Sequence, residues 1–211
     1  MLLPPRLIDG YAAFRTGRYA ENAERYRKLG EGYQKPRVML IACCDSRAAP
    51  ETIFDAGPGE IFVVRNVANL VPPYAPDGGR HSTSAALEFA VLSLKVENIV
   101  VMGHGRCGGI NAMIEPGAPL SSSDFIGRWM ANVAEVAAEV RHQHEACHGK
   151  LSTAVERALV EHSLVNLQTF PWIRSRLKSG ELAIHGAWFD IAEGILHAYD
   201  EPNHRWVEVS A

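Results

Sequence analysis

Four short, largely apolar runs without polar alternation set the terms on which this chain can fold: 37–43, 61–65, 98–103 and 182–189. Each is too short for a core helix, and each has the pattern of a strand covered on both faces, as in a parallel sheet. Between the second and third runs, Ser82 to Lys95 has helical spacing through Ala85, Leu87, Ala90, Val91 and Leu94. Two further helical stretches separate the third and fourth. Asp124 to His142 follows Ser121-Ser122-Ser123, which is N-cap material, and Ser152 to Leu177 is interrupted at Pro171. Strands alternating with helices predict an α/β fold: residues 36–211 form a single domain with a mostly parallel central β-sheet flanked by helices. Residues 1–35 read as an N-terminal helical arm. Leu7, Tyr11, Phe14, Tyr19, Ala23, Tyr26 and Leu29 suit an amphipathic helix or two, broken near Gly17.

Composition closes several routes. The chain has 211 residues, enough for one domain with a full core. A net charge of −3 gives no electrostatic case for binding nucleic acid or an anionic membrane. No apolar run approaches the roughly 20 residues of a membrane span. The start, Met1 to Arg6, lacks a basic segment leading into an apolar one, so the chain reads as cytoplasmic. In that reducing setting Cys43, Cys44, Cys107 and Cys147 are better suited to metal binding or packing than to disulfides.

The chemistry gathers at two strand ends. Cys43-Cys44-Asp45-Ser46-Arg47 ends the first strand, and Gly103-His104-Gly105-Arg106-Cys107-Gly108-Gly109 ends the third. Ligands of α/β sheets sit at the carboxyl ends of strands, so these segments can meet although about sixty residues separate them. As C-x-D-x-R and H-x-x-C they offer thiolates, an imidazole and an acid held near an arginine. That set is one ligand short of a closed structural zinc site and matches the count of a catalytic one. His104 and Cys107 are expected on one helical face, three residues apart, with Gly105, Gly108 and Gly109 letting the backbone approach closely.

Other readings compete for these residues. A cysteine at a strand end is most often a small core residue, which is the reading for Cys44 and Cys147. The run His142 to His148 mimics a metal cluster, yet it ends a helix whose C-terminus favours histidine without any metal. His81, His162, His185, His197 and His204 have no evident partner. Gly103-x-Gly105-x-x-Gly108 matches a dinucleotide fingerprint, with Asp124 about 20 residues on. The match fails on context, because Asp124 falls at a loop and helix start and not at a strand end.

The order of motifs strongly resembles the β-class carbonic anhydrases. The match runs through Cys43-x-Asp45-x-Arg47, Gly57-Pro58-Gly59-Glu60, Phe62-Val63-Val64-Arg65-Asn66-Val67-Ala68-Asn69 and Gly103-His104-x-x-Cys107-Gly108-Gly109, over about Gln34 to Phe189. The resemblance implies a Zn2+ ion held by Cys43, His104 and Cys107, and it is what selects Cys43 over Cys44. It implies an Asp45–Arg47 catalytic dyad and reversible hydration of CO2 to bicarbonate and a proton. It implies a substrate pocket lined by Gln34, Phe62, Val67, Phe89 and Gly108. Phe89 replaces a tyrosine common in plant-like members, which removes a hydroxyl from the wall. Leu40 and Phe189 stand where some bacterial members hold an inhibitory bicarbonate with tryptophan and tyrosine, so no such regulation is expected. The resemblance also implies a homodimer or homotetramer embraced by the N-terminal helices. Two alternatives remain at this level. One is a hydrolase of carbon disulfide or carbonyl sulfide on the same scaffold. The other is a non-catalytic zinc-stabilised protein with Asp45 as fourth ligand.

Overall fold

The computed structural model describes residues 3–115, 117, 119–144 and 150–210. Cys147, read from sequence as a packing residue, lies outside them.

The chain begins with three short helices, α1 (Pro5–Thr16), α2 (Arg18–Glu21) and α3 (Ala23–Glu31), and the first break falls at Gly17 as the spacing predicts. None of the three buries a residue. They are held to one another by tilted and edge-on rings: Phe14 meets Tyr19 and Tyr26 at 5.8 and 5.9 Å, and Tyr19 meets Tyr26 at 5.2 Å. Against the body, α3 rests on the 57–60 turn. Arg25 pairs with Glu60 at 2.8 Å, and Leu29 lies where a side chain on Gly59 (φ 80°) would sit.

The body follows as β1 (Val38–Cys43), α4 (Pro50–Ile53), β2 (Ile61–Asn66), α5 (Ser82–Glu88) and β3 (Asn98–His104). A wider π-helical turn, 89–94, continues α5, and the left-handed Lys95 ends it. Next come α6 (Gly108–Ile114), α7 (Phe125–Met130), α8 (Ala134–His144), α9 (Leu151–Leu167) and α10 (Pro171–Lys178). Pro171 opens α10, which is why the long helical stretch divides there. The cap of α7 is Asp124 itself, whose carboxylate accepts from Gly127 N; the preceding serines do not serve.

The chain closes with β4 (Ala183–Asp190), β5 (Ile195–Asp200) and β6 (Arg205–Glu208). The sheet runs β2-β1-β3-β4-β5-β6. The four strands expected from sequence are parallel, and β5 and β6 extend the sheet antiparallel. These two were missed because neither is an unbroken apolar run: β5 carries His197, and β6 is Arg-Trp-Val-Glu. One sheet face, with Met39, Ile41, Ile99 and Val101, packs under Leu87, Val91, Val160, Leu167 and Phe170. The other holds a smaller cluster of Leu40, Ala42, Met102 and Ala187 with Ile53 of α4. Among the described residues no helix is long and apolar enough to cross a membrane.

From β1 the chain steps to β2 on one side and to β3 on the other. That reversal opens a crevice at the carboxyl ends of β1 and β3, the usual ligand position in an open α/β sheet. Ala42 pairs with Met102, so Cys43 and His104 emerge side by side there.

Candidate metal centre

Cys43 is the last residue of β1 and His104 the last of β3. Beyond His104 the chain turns through Gly105 and Arg106, the latter at φ 57°, and delivers Cys107 as the N-cap of α6. His104 and Cys107 therefore do not share a helical face, as their spacing suggested. A left-handed turn brings them together.

The three side chains are buried, and their donor atoms all lie within 4.8 Å of one another. The Sγ atoms of Cys43 and Cys107 are 3.9 Å apart, far too distant for a disulfide. Tetrahedral zinc with bonds of about 2.3 Å to sulfur would hold two thiolates about 3.8 Å apart, so the spacing fits that ion. His104 Nδ1 sits 2.9 Å from Gly105 O and donates to it, which leaves Nε2 as the bare nitrogen. That Nε2 is buried and has no hydrogen-bond partner. An orphaned imidazole nitrogen facing two thiols is the expected look of a ligand set, since buried polar atoms are otherwise paired. The surroundings are apolar: Cys43 and Cys107 sit among Ala68, Ile110, Met130, Val155 and Leu159.

Charge is distributed to suit a cation. The contact between the two Sγ atoms brings the Cys43 thiol down to about 4, while it and burial push Cys107 up. Burial pulls the His104 imidazolium down, and its proximity to Cys43 and Asp45 more than offsets that. Arg47 grips Asp45 with a two-point fork, Nε to Oδ1 at 2.9 Å and Nη2 to Oδ2 at 2.7 Å. That grip, before any other cause, holds Asp45 well below the usual carboxylate range. Asp45 Oδ2 lies 3.9 Å from His104 Nε2. Arg47 Nη2 also donates to Arg106 O at 3.1 Å, tying the two loops into one unit.

Three supports escaped the sequence reading. Arg65 donates to the carbonyls of Cys43 (2.8 Å) and Asp45 (2.7 Å) and so fixes the loop after β1. The Asn66 amide clamps Leu70 and reaches Thr83. Glu156 of α9 accepts from Cys107 N at 3.2 Å and from Trp188 Nε1 at 3.1 Å. Burial raises the Glu156 carboxyl, and these two donors pull against that rise. Its signal was legible: an acid in register with Val155, Leu159, Val160, Ser163 and Leu167 occupies a core-facing position.

The expected pocket residues divide. Val67 packs against the cluster holding Cys43 and Cys107, and Gly108 opens α6 beside Cys107. Gly109, and not Gly108, is the glycine of close approach. A Cβ on Gly109 would lie 2.6 Å from Val67, whereas one on Gly108 would meet nothing within 4 Å. Phe62 pairs with Met39, four residues before Cys43 along β1, which is about 13 Å at strand rise. Its ring lies 6.0 Å from that of Phe89, which is 47% exposed. Gln34 and Phe89 line a groove of about 960 Å³ with Leu29 and Arg37. Gln34, Phe62 and Phe89 thus sit toward the opposite end of the strands from their own chain's Cys43–His104–Cys107 group. Leu40 is buried within β1, and Phe189 lines an apolar wall with Ile53 and Leu196 beside Arg47. Cys44, expected to be a small core residue, is instead exposed and is not in the donor group that Cys43 enters. The dinucleotide reading fails structurally as well, since two of its three variable positions, His104 and Cys107, belong to the buried donor group.

Comparison with known proteins agrees with this geometry. The family model described as carbonic anhydrase matches residues 38–196. The chloroplastic β-carbonic anhydrase 5 of Arabidopsis thaliana is 37% identical over 190 residues, covering 87% of this chain and 60% of that protein. The chain thus spans less than two thirds of that curated relative. The solved structure of the β-carbonic anhydrase CcaA superposes with a TM-score of 0.89 at 32% identity, covering 98% of this chain and 92% of the other. One of two tetrameric β-carbonic anhydrases from the ascomycete Sordaria macrospora gives 0.75 at 28% identity, covering 98% and 96%. With most of its length matched by the family model and a full-length solved relative above 30% identity, the chain belongs to the carbonic anhydrases, in their β class.

Proposed function

We propose that this chain is a zinc-dependent carbonic anhydrase, catalysing reversible hydration of CO2 to bicarbonate and a proton. One observation carries the reading: a buried Cys43–His104–Cys107 group with the forked Asp45–Arg47 pair at its mouth. Cys43, His104 and Cys107 would hold Zn2+, whose Lewis acidity makes water a competent nucleophile near neutral pH. Asp45 and Arg47 supply direction. Arg47 saturates the outer side of the carboxylate and offsets its charge, so Asp45 can accept a proton-bearing oxygen at one fixed place. An ionised Asp45 cannot donate, so it discriminates an oxygen with a proton from one without. Val67 and Gly108 give an apolar, unobstructed wall suited to a small uncharged substrate.

The arginine fork argues against a non-catalytic zinc module, which would need Asp45 as a fourth ligand. Nothing in the site favours carbon disulfide or carbonyl sulfide over CO2. Leu40 and Phe189 themselves carry no hydrogen-bonding side chain with which to hold a second bicarbonate. The remote position of Gln34, Phe62 and Phe89 supports a shared site, in which these residues of one copy line the pocket of another. The exposed Leu7, Ile8 and Tyr11 of the arm suit the same homodimer or homotetramer, with residues 1–35 as arm and 36–211 as catalytic domain. The free thiols of Cys43, Cys44 and Cys107 suit a reducing compartment such as the cytosol, whereas the Arabidopsis relative is named chloroplastic. Stopped-flow CO2 hydration is the test. The wild type should turn over CO2, and Asp45→Asn should keep its zinc yet lose most activity. Full activity in Asp45→Asn would overturn the assigned dyad, and an inactive zinc-loaded wild type would overturn the function.

A further inference from the structure

The metal group stands on the tight turn between β3 and α6, and three contacts hold that turn. Gly105 N donates to Phe189 O at 2.9 Å, Arg106 O accepts from Arg47 at 3.1 Å, and Cys107 N donates to Glu156 at 3.2 Å. Only the last comes from outside the sheet and its loops. Glu156 is 1% exposed, on a helix whose neighbouring buried positions are Val155, Leu159 and Val160. A leucine there would avoid the cost of burying a charge, whereas a buried carboxylate must be compensated by what it binds. Its two oxygens meet two N–H donors, Cys107 N and Trp188 Nε1. Close approach of α9 makes this reach possible, because Val160 fills the space a side chain on Gly103 would need.

We propose that Glu156 is a positioning residue for the metal centre: by anchoring the Cys107 amide it aims the Cys107 thiolate at the point shared by Cys43 and His104. The inference rests on the reading that Cys107 is a metal ligand. Chemistry distinguishes this role from mere filling of space. Glutamate presents two acceptors. Glutamine has nearly the same shape but presents one acceptor and one donor. With two fixed N–H groups facing it, a glutamine satisfies one and repels the other. Removing the Trp188 donor relieves that conflict, since the amide oxygen can then serve Cys107 while the NH2 group faces no donor.

The experiment is a cycle of Glu156→Gln, Trp188→Phe and the double variant, read by zinc competition against a chromophoric chelator and by thermal unfolding of the metal-free chains. Glu156→Gln should weaken zinc binding about 10- to 100-fold, the usual effect of losing an outer support. Trp188→Phe alone should change it little, and the double variant should recover most of the loss. The metal-free chains should unfold at similar temperatures. Wild-type affinity in Glu156→Gln, or a double variant as weak as the single, overturns the proposal. So does a loss of affinity matched by loss of metal-free stability. Should Glu156→Gln not fold, the wild type decides: amide exchange at Cys107 must be slow in the metal-free chain, and free exchange refutes the anchor. A wild type that binds no zinc removes the metal reading and this inference with it. A wild type that binds zinc beside an unaffected Glu156→Gln removes the inference alone.

Discussion

At the scale of single residues, two adjacent cysteines separate completely. Cys43 is buried in the donor group, and Cys44 is exposed beside it. Cys43→Ser should bind no zinc, and Cys44→Ser should keep one ion per chain, measured by elemental analysis; equal content in both would refute the assignment. Motif spacing left this choice open because alternation along a strand fixes only that the two side chains diverge. Asp45 makes a second prediction. Its folded pKa is depressed by Arg47, so its pairing favours the fold above the unfolded value near about 3.9 and is lost as pH falls toward the folded value. Denaturant unfolding of the metal-free chains should find Asp45→Asn less stable than wild type at pH 6, with the gap narrowing below about pH 4. A gap that is constant with pH would show that Asp45 does not carry this linkage.

At the scale of elements, what was legible depended on how far each signal travels along the chain. The four parallel strands announce themselves as apolar runs, and Pro171 marks a helix boundary. The left-handed turn at Arg106 leaves no such mark, so spacing alone suggests one helix face for His104 and Cys107 when they flank a turn. The alternation in β5 and the polar ends of β6 hid both behind their half-exposed setting. The seating of α9 on the sheet is likewise invisible until Gly103 and Gly186 are seen under Val160. A Cβ on Gly103 would lie 2.8 Å from Val160. Gly103→Ala should therefore destabilise the chain by about 1–3 kcal/mol as overpacking, and Val160→Ala should return part of that in the double variant. Chemical denaturation checks both; a neutral Gly103→Ala would mean that α9 shifts freely.

At the scale of the whole molecule, the sheet order creates the crevice and the sequence order conceals who lines it. Cys43 and His104 meet because β1 and β3 are neighbours at a topological switch point. Phe62 and Phe89 resemble pocket residues by motif, yet the register sets Phe62 four residues down the sheet from the level of Cys43, with Phe89 beside it at 6.0 Å. Linear motifs report which residues a family uses and say nothing of which copy supplies them. A shared site is directly testable by co-expressing two damaged chains, Cys43→Ser and the Phe62→Ala, Phe89→Ala double variant. Mixed assemblies should exceed the average of the two parents in CO2 hydration, because one copy supplies the metal group and the other the aromatic wall. Activity equal to that average would show that each chain lines its own pocket.

The proposed function requires the crevice between β1 and β3 to become catalytic by holding one zinc ion. The most direct measurement strips the protein with a chelator, returns zinc stepwise and follows CO2 hydration against bound metal. Activity should be negligible without metal, rise linearly, and level off at one zinc per chain. Full hydration activity in the stripped protein, or a plateau reached with no zinc retained, would contradict it.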